Sequence, residues 1–328
     1  MDAHQRQIQQ PDPKPKEPEG EDSVTDFQLT TPVAFIIFNR ADTTERVFAE
    51  IAKARPSKLL VVGDGPRASR QGEAEKVAVT RAIIQRVDWD CEVLTNFSDV
   101  NLGCKKRVSS GIDWVFEQVE EAIIIEDDCL PDPTFFRFCQ EMLERYRNDQ
   151  RIGMISGDNF QFGRRYGADS YYFSKYVHIW GWATWRDRWV GCYDVTVSKW
   201  PHIRDEGRLI DMVGDAREVV YWGKIFERVF RGQIDTWDYQ WVFANWIEGR
   251  SNIIPAGNII SNIGFDQNAT HTTGDSELAN MPIAPMNFPL KHPVGIFKNV
   301  RADHFSEQKC FHVPFWKRVR NKISGWLR

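Results

Sequence analysis

The 328-residue chain is 42% hydrophobic and carries 13 Trp, enough apolar material for one large α/β domain or two small ones. Its net charge of -4 gives nucleic acid no electrostatic footing, and no Arg-Gly-aromatic signature occurs. No run of about 18 apolar residues is present to cross a membrane as a helix, no secretory leader pattern opens the chain, and the six Cys form no Cys-x-x-Cys pair. Reduced core thiols and a cytoplasmic location are the expectation.

The first 31 residues are polar, with Pro11, Pro13, Pro15 and Pro18 set among Lys and Glu, a composition that predicts a disordered tail. From Pro32 the pattern alternates. Val33 to Phe38 reads as a buried strand, and Asp42-Thr43-Thr44-Glu45 has the form of a capping box opening a helix to about Ala54. Leu59-Leu60-Val61-Val62 predicts a second buried strand, broken by Gly63-Asp64-Gly65-Pro66. A helix over 73–86, a strand around Glu92-Val93-Leu94, and a turn at Asn101-Leu102-Gly103 into a helix ending near Glu117 follow. Ile123-Ile124-Ile125 then has no polar face, the pattern of a parallel strand covered on both sides. Strands separated by helices of this length predict βαβ units and an α/β fold with a mostly parallel, Rossmann-like sheet.

After a predicted helix over 134–147 the rhythm changes. Gly153-Met154-Ile155-Ser156-Gly157 reads as a strand, an aromatic-rich stretch runs from Ile179 to Trp189, helices are predicted over 216–230 and 237–248, and a strand near Ile253-Ile254. Beyond 273 an extension runs to 313. Residues 314–328 then carry five basic residues and no acid, with Phe315, Trp316, Val319, Ile323, Trp326 and Leu327 on one helical face. That is the pattern of a basic amphipathic helix, lying on an anionic membrane surface or docking on its own domain.

The strand at Ile123-Ile124-Ile125 ends in Glu126-Asp127-Asp128. Three adjacent acids repel one another at neutral pH and need a cation, hydrogen bonds or raised pKa values to coexist. A helix cap does not account for them, because Asp132 before Pro133 is the better cap for the next helix. Carboxyl ends of parallel strands are also where α/β folds place ligands. The loops at the same rim supply Asn39-Arg40, then Asp64 with Arg67, then Lys105-Lys106-Arg107. Cations for phosphate oxygens beside carboxylates for a metal ion suit a metal-bound, nucleotide-linked diphosphate. The sequence has no Gly-x-x-x-x-Gly-Lys-Ser/Thr, no Gly-x-Gly-x-x-Gly after the first strand and no His-Glu-x-x-His, which excludes the corresponding P-loop, Rossmann-dehydrogenase and zinc-protease signatures.

In the second half, Asp238 in Asp235-Thr236-Trp237-Asp238-Tyr239 stands at the start of a predicted helix, either as a first-turn acid or as a general base flanked by sugar-stacking aromatics. The Trp180–Trp189 cluster reads as core or as a sugar-stacking wall. His271 is a candidate ligand or phosphate contact.

Together these residues resemble metal-dependent nucleotide-sugar glycosyltransferases of the GT-A type, close to the N-acetylglucosaminyltransferase I family and its bacterial relatives. The similarity runs over 32–273 and rests on an apolar strand ending in Glu126-Asp127-Asp128, followed by Cys129-Leu130-Pro131-Asp132-Pro133-Thr134-Phe135-Phe136. The resemblance implies a nucleotide-binding half over 32–132 and an acceptor-binding half over 133–273 on one sheet. It implies Mn2+ (or Mg2+) on Asp128, and nucleotide-sugar contacts from Arg40, Asp64, Glu126, Asp127 and Arg107 or Lys106. Trp237-Asp238 matches the pair that provides the catalytic base, although Tyr239 stands where the family often has a further acid. Trp182 and Asp158 match segments that touch donor sugar or acceptor. The implied activity is inverting transfer from a nucleotide diphosphate donor, UDP by expectation, to a glycan or lipid-linked glycan at the inner face of a membrane. The rival readings are a sugar-phosphate nucleotidyltransferase, whose Gly-rich signature Asn39-Arg40-Ala41-Asp42 does not supply, and a non-catalytic carbohydrate-binding protein.

Overall fold

The computed structural model describes residues 27–265 and 277–311, and within them the chain folds around one eight-stranded sheet. The polar stretch to residue 26, His271 and the basic segment 314–328 lie outside the described residues.

The first half alternates as its sequence predicts: β1 (Val33–Ile37), α1 (Ala41–Ala54), β2 (Lys58–Gly63), α2 (Glu73–Ala82), β3 (Glu92–Phe97), α3 (Cys104–Gln118) and β4 (Glu121–Glu126). β1 lies between β2 and β4, parallel to both, with Val33 opposite Leu59 and Ile123, and β3 adds to β2 in the same direction. The apolar runs are continuous because both sheet faces are covered. Val33, Phe35 and Ile37 point into one core, Ala34 and Ile36 into the other.

The second half is built on the same sheet. β5 (Cys129–Pro131) leads to α4 (Thr134–Tyr146), then come β6 (Ile152–Ser156), β7 (Tyr171–Ser174), β8 (Trp182–Trp185) and the one-turn α5 (Arg186–Trp189). The short helices α6 (Trp200–Asp205) and α7 (Leu209–Val213) precede α8 (Ala216–Phe230) and α9 (Asp238–Ile247). β9 (Ser251–Pro255), β10 (Ile260–Asn262) and α10 (Val300–Ser306) follow, and a π-helical turn over Glu307–Phe311 ends the described chain. The sheet order is β3-β2-β1-β4-β8-β6-β9-β7, while β5 and β10 form a separate antiparallel ribbon. β8 runs against β4 and β6, and β7 runs against β9, so the sheet is mixed but mostly parallel. The segment after 277 folds back on this body: Lys298 bridges to Phe173 of β7, and Asp303 accepts the Lys175 amide.

Two local expectations meet different fates. The Asp42-x-x-Glu45 capping box does not form. The helix starts two residues early, Arg40 is its N-cap, the Thr43 and Thr44 hydroxyls donate to the Arg40 carbonyl at 3.2 and 2.7 Å, and Glu45 pairs with Arg86. Asp132 stands one residue ahead of the α4 N-cap, Pro133, yet its Oδ1 accepts the Thr134 amide at 2.9 Å and so satisfies the first amide of the helix. All six Cys are free thiols.

The tryptophans concentrate on one face. Trp182, Trp189, Trp237 and Trp241 pack ring against ring at 5.0–6.4 Å, with Trp182 stacked on Trp237 at 21°. Aromatic pairs of this kind add about 0.5–1.5 kcal/mol each beyond the area they bury. This cluster ties α9 to β8, and thereby fixes the start of α9 beside the end of β4.

Candidate active site

A cavity of about 490 Å³ opens at the carboxyl ends of β1, β2 and β4. Its lining includes Arg40, Asp64, Arg67, Arg107, Glu126, Asp127, Asp128 and Asp238, so the fold gathers residues up to about two hundred positions apart along the chain, as open parallel sheets do at this edge. Asp235 lines it as well, giving six carboxylates against three guanidiniums.

The acidic triplet is held from several sides. The Asp127 carboxylate accepts the Phe38 amide at 2.9 Å and the Thr44 hydroxyl at 3.4 Å, locking the end of β4 to the β1–α1 junction. Asp128 meets Arg40 at 3.3 Å, and Arg40 also donates to the Gly264 carbonyl at 3.0 Å. Burial, then the neighbouring Asp128 charge, pushes the Asp127 pKa up to about 7. Glu126 is held well above the usual carboxylate range by burial, then by Asp128, Asp127 and Asp238, against a hydrogen bond from Trp237. These acids therefore crowd one another electrostatically within one cavity, and a cation there would relieve the repulsion.

Gly264 follows β10 and presses on the Asp128–Arg40 pair. A Cβ at this position would lie 2.1 Å from Asp128 Oδ2 and 2.8 Å from Arg40 Nη1. Overpacking of this kind costs about 1–3 kcal/mol. Gly264→Ala is expected to displace the Asp128–Arg40 pair and lower stability by about that much, read by chemical denaturation; an unchanged midpoint would show that the pair yields without cost.

The basic side is more constrained than its sequence suggests. Arg107 is buried, faces the cavity and donates to the Asn96 carbonyl and side-chain oxygen at 2.5 and 2.8 Å, while its buried Nε meets no acceptor. Burial pulls its pKa down, with Asp64 opposing. Lys106 is exposed and is not among the cavity residues, so of the two aligned cations the geometry brings in Arg107. Arg67 is clasped by the buried Glu73, which also accepts from Asn39 at 2.9 Å. The Arg67 hydrogen bond holds the Glu73 carboxyl below its usual range. Glu73 was not singled out by sequence, because an acid in a first helical turn reads as an ordinary partner of the helix dipole.

Asp64 lines the cavity, but its oxygens are largely used: they accept Gly65 N, Leu102 N and Asn101 Nδ2 at 2.9 Å and Gly103 N at 3.1 Å. A carboxylate has about four acceptor sites, so Asp64 chiefly shapes the loop ahead of α3. That loop brings Gly103, Cys104 and Arg107, the first turn of α3, to the cavity, where the helix N-terminus favours an anion.

On the opposite wall, Asp238 is the first residue of α9 and takes a hydrogen bond from the Thr236 hydroxyl. Trp237 lines the cavity but is almost fully buried, whereas Tyr239 packs edge-on to Trp222 and is turned into the core. Trp182 and Asp158 do not reach the cavity. Trp182 is fully buried in the tryptophan core, and Asp158 is buried behind it, bonded to His178 Nδ1 at 2.8 Å and the Ser156 hydroxyl at 3.1 Å. Asp158 also accepts the Trp180 amide at 3.2 Å, so its contribution is to anchor the residue that does reach.

That residue is Trp180. It lines the cavity half-buried, edge-on to Phe160 at 5.0 Å and to Phe265 at 5.6 Å. Gly181, at φ 64, supplies the left-handed turn that sends Trp180 to the cavity and Trp182 to the core. A Cβ there would also lie 2.6 Å from Ile260 Cδ1.

Among the described residues, no three His, Cys, Asp or Glu side chains converge into a preset metal cage. The donor chemistry fits a hard divalent ion nonetheless. Mg2+ and its analogues are commonly held by one or two carboxylates, with phosphate oxygens and water completing the shell. No protein-family model matches the sequence, and no curated protein matches it.

Proposed function

We propose that this protein is a metal-dependent, inverting glycosyltransferase of the GT-A type, which moves a sugar from a nucleotide diphosphate donor, UDP by preference, to a hydroxyl of a glycan or glycolipid. The observation that carries this reading is the single cavity in which Glu126, Asp127 and Asp128 face Arg40 and Arg107 on one side and Asp238 with Trp180 on the other. An aromatic side chain beside carboxylates and guanidiniums in one cavity suits a sugar held next to a phosphate group.

The chain's own groups divide the work as follows. Asp128 is the carboxylate that would hold Mn2+ or Mg2+, with Arg40 fixing its orientation. Once bound, the ion supplies charge neutralisation to the departing diphosphate. Arg107 and the first turn of α3 bind the phosphate oxygens from the other side. Asp238 takes the proton of the acceptor hydroxyl as that oxygen bonds to the anomeric carbon. The bond from the anomeric carbon to the phosphate oxygen breaks on the far side, its electron pair leaving with the nucleoside diphosphate. Attack opposite the leaving group inverts the centre. Glu126, whose carboxyl is held above its usual range by burial and by its acidic neighbours, lines the same cavity between Asp128 and Trp237.

Trp180→Ala is expected to raise the acceptor KM roughly two- to tenfold, the worth of an aromatic face, with kcat little changed; a drop confined to kcat would move Trp180 out of substrate binding. The reading as a whole is tested by screening a panel of nucleotide sugars for Mn2+-dependent hydrolysis, alongside calorimetry with UDP. Metal-dependent binding with release of sugar from at least one donor is the expected result. No nucleotide binding with or without metal would leave a carbohydrate-binding role instead.

A further inference from the structure

At the β7 edge of the sheet, the loop over 162–169 and the segment over 291–309 lie against each other and form a surface unlike the rest of the molecule. Val294, Phe297 and Val300 are exposed to 101%, 65% and 74%. Such protrusion of three large apolar side chains within seven residues is unusual for a water-facing loop. The two segments are joined by backbone and side-chain contacts: Ser170 donates to the Lys291 carbonyl at 2.8 Å, and Lys291 returns its amide to the Ser170 hydroxyl at 2.9 Å. The Arg301 guanidinium lies 5.6 Å from the Tyr166 ring and Arg164 lies 4.5 Å from Phe305.

Basic side chains outnumber acids around these apolar residues, with Asp169 beside Phe297 and Lys298 turned toward Glu206 and Asp211. Arg164, Arg165, Lys291, Lys298 and Arg301 are exposed, while Asp303 and Glu307 are buried and Asp169 is the one exposed acid in the two segments. Basic side chains around protruding aliphatic and aromatic ones match the headgroup region of an anionic bilayer, where cations meet lipid phosphates and apolar tips enter the acyl boundary. The alternatives are less complementary. A second copy of this face would bring like charges together. Residues 312–328, the chain beyond the last described residue, carry five basic residues and no acid, so that segment would be repelled from the face rather than cover it.

We propose that the face formed by 162–169 and 291–309 docks on an anionic lipid surface, with Val294, Phe297 and Val300 inserted and the surrounding Arg and Lys on the headgroups. This inference is independent of the sugar-transfer reading.

The test uses the full chain and vesicles of phosphatidylcholine, with or without about one-third phosphatidylglycerol. The wild-type protein is expected to co-sediment with the anionic vesicles, less so as salt rises, and to remain in solution with phosphatidylcholine alone. Two triple variants on exposed side chains separate the contributions: Val294→Ser with Phe297→Ser and Val300→Ser, and Arg164→Glu with Arg165→Glu and Lys291→Glu. Each cation near the surface is worth about fivefold in partitioning, so the charge-reversed triple is expected to lose about a hundredfold and the apolar triple about tenfold or more. Circular dichroism checks that both remain folded. Wild-type protein left in the supernatant overturns the proposal, and so do two triples that partition like wild type, which would assign binding to residues 312–328 alone. Loss in the charge-reversed triple with the apolar triple unchanged also overturns it, since nothing would then be inserted.

Discussion

Asp128→Asn is expected to lower metal-dependent sugar transfer by roughly a thousandfold or more, since a metal at the developing charge supplies several kcal/mol. The substitution keeps the shape that Gly264 demands and removes the negative charge. Two consequences follow from the contacts around it. Arg40, which meets Asp128 at 3.3 Å, keeps the Gly264 carbonyl at 3.0 Å as a partner, so the fold is expected to survive. The Mn2+-dependent part of UDP binding should vanish, while any metal-independent part persists through Arg107 and the α3 N-terminus. Transfer kinetics over a Mn2+ titration and calorimetry check both. An Asp128→Asn protein that turns over at the wild-type rate would remove the metal assignment.

Asp238→Asn separates proton transfer from binding. The amide occupies the same volume at the start of α9 and still accepts the Thr236 hydroxyl through its carbonyl oxygen, but it has no basicity to offer the acceptor. General-base catalysis is worth roughly 10² to 10⁴ in rate, so kcat should fall by that much with UDP and Mn2+ affinity near wild type. The neighbouring acid offers an internal control. Asp235 also lines the cavity, but its Oδ1 accepts the Lys105 amide at 3.2 Å, tying it to the start of α3. Asp235→Asn should therefore leave kcat within a few-fold of wild type. If Asp235→Asn lost transfer and Asp238→Asn did not, the base would be reassigned.

Much of the first half was legible from one-dimensional pattern because a parallel strand buried on both faces cannot hide. The centres of β1, β2 and β4 are unbroken apolar runs, and the carboxylates after β4 follow from where such a run stops. β8 escaped for the opposite reason. Its Trp182-Ala183-Thr184-Trp185 is an antiparallel insertion between two parallel partners, and the aromatic stretch around it carries no period-2 signal that singles out four residues. β5 and β10 are three residues each, too short for periodicity to detect.

The site was legible in its charges and less so in its division of labour. Asp64 reads as a ligand contact until the fold brings 101–103 to it and takes up its lone pairs. The aromatic wall reads as a cluster because spacing cannot reveal that one glycine, Gly181, turns adjacent tryptophans to opposite sides. Which of Lys106 and Arg107 faces inward depends on how α3 is rotated against the sheet. That rotation is set by Ile112, Val115 and Phe116 packing into the core beneath.

The antiparallel strand has one more consequence. β8 is hydrogen-bonded to β4 on one side and to β6 on the other, so the strand that ends in the acidic triplet and the strands of the second half belong to one continuous backbone ladder. A hinge between the two halves would have to break that ladder. Any closing over substrate must therefore come from loops at the rim, and the body should unfold as one cooperative unit. Denaturation followed by tryptophan fluorescence, which senses chiefly the second half, and by far-ultraviolet circular dichroism, which senses both, is expected to give the same midpoint.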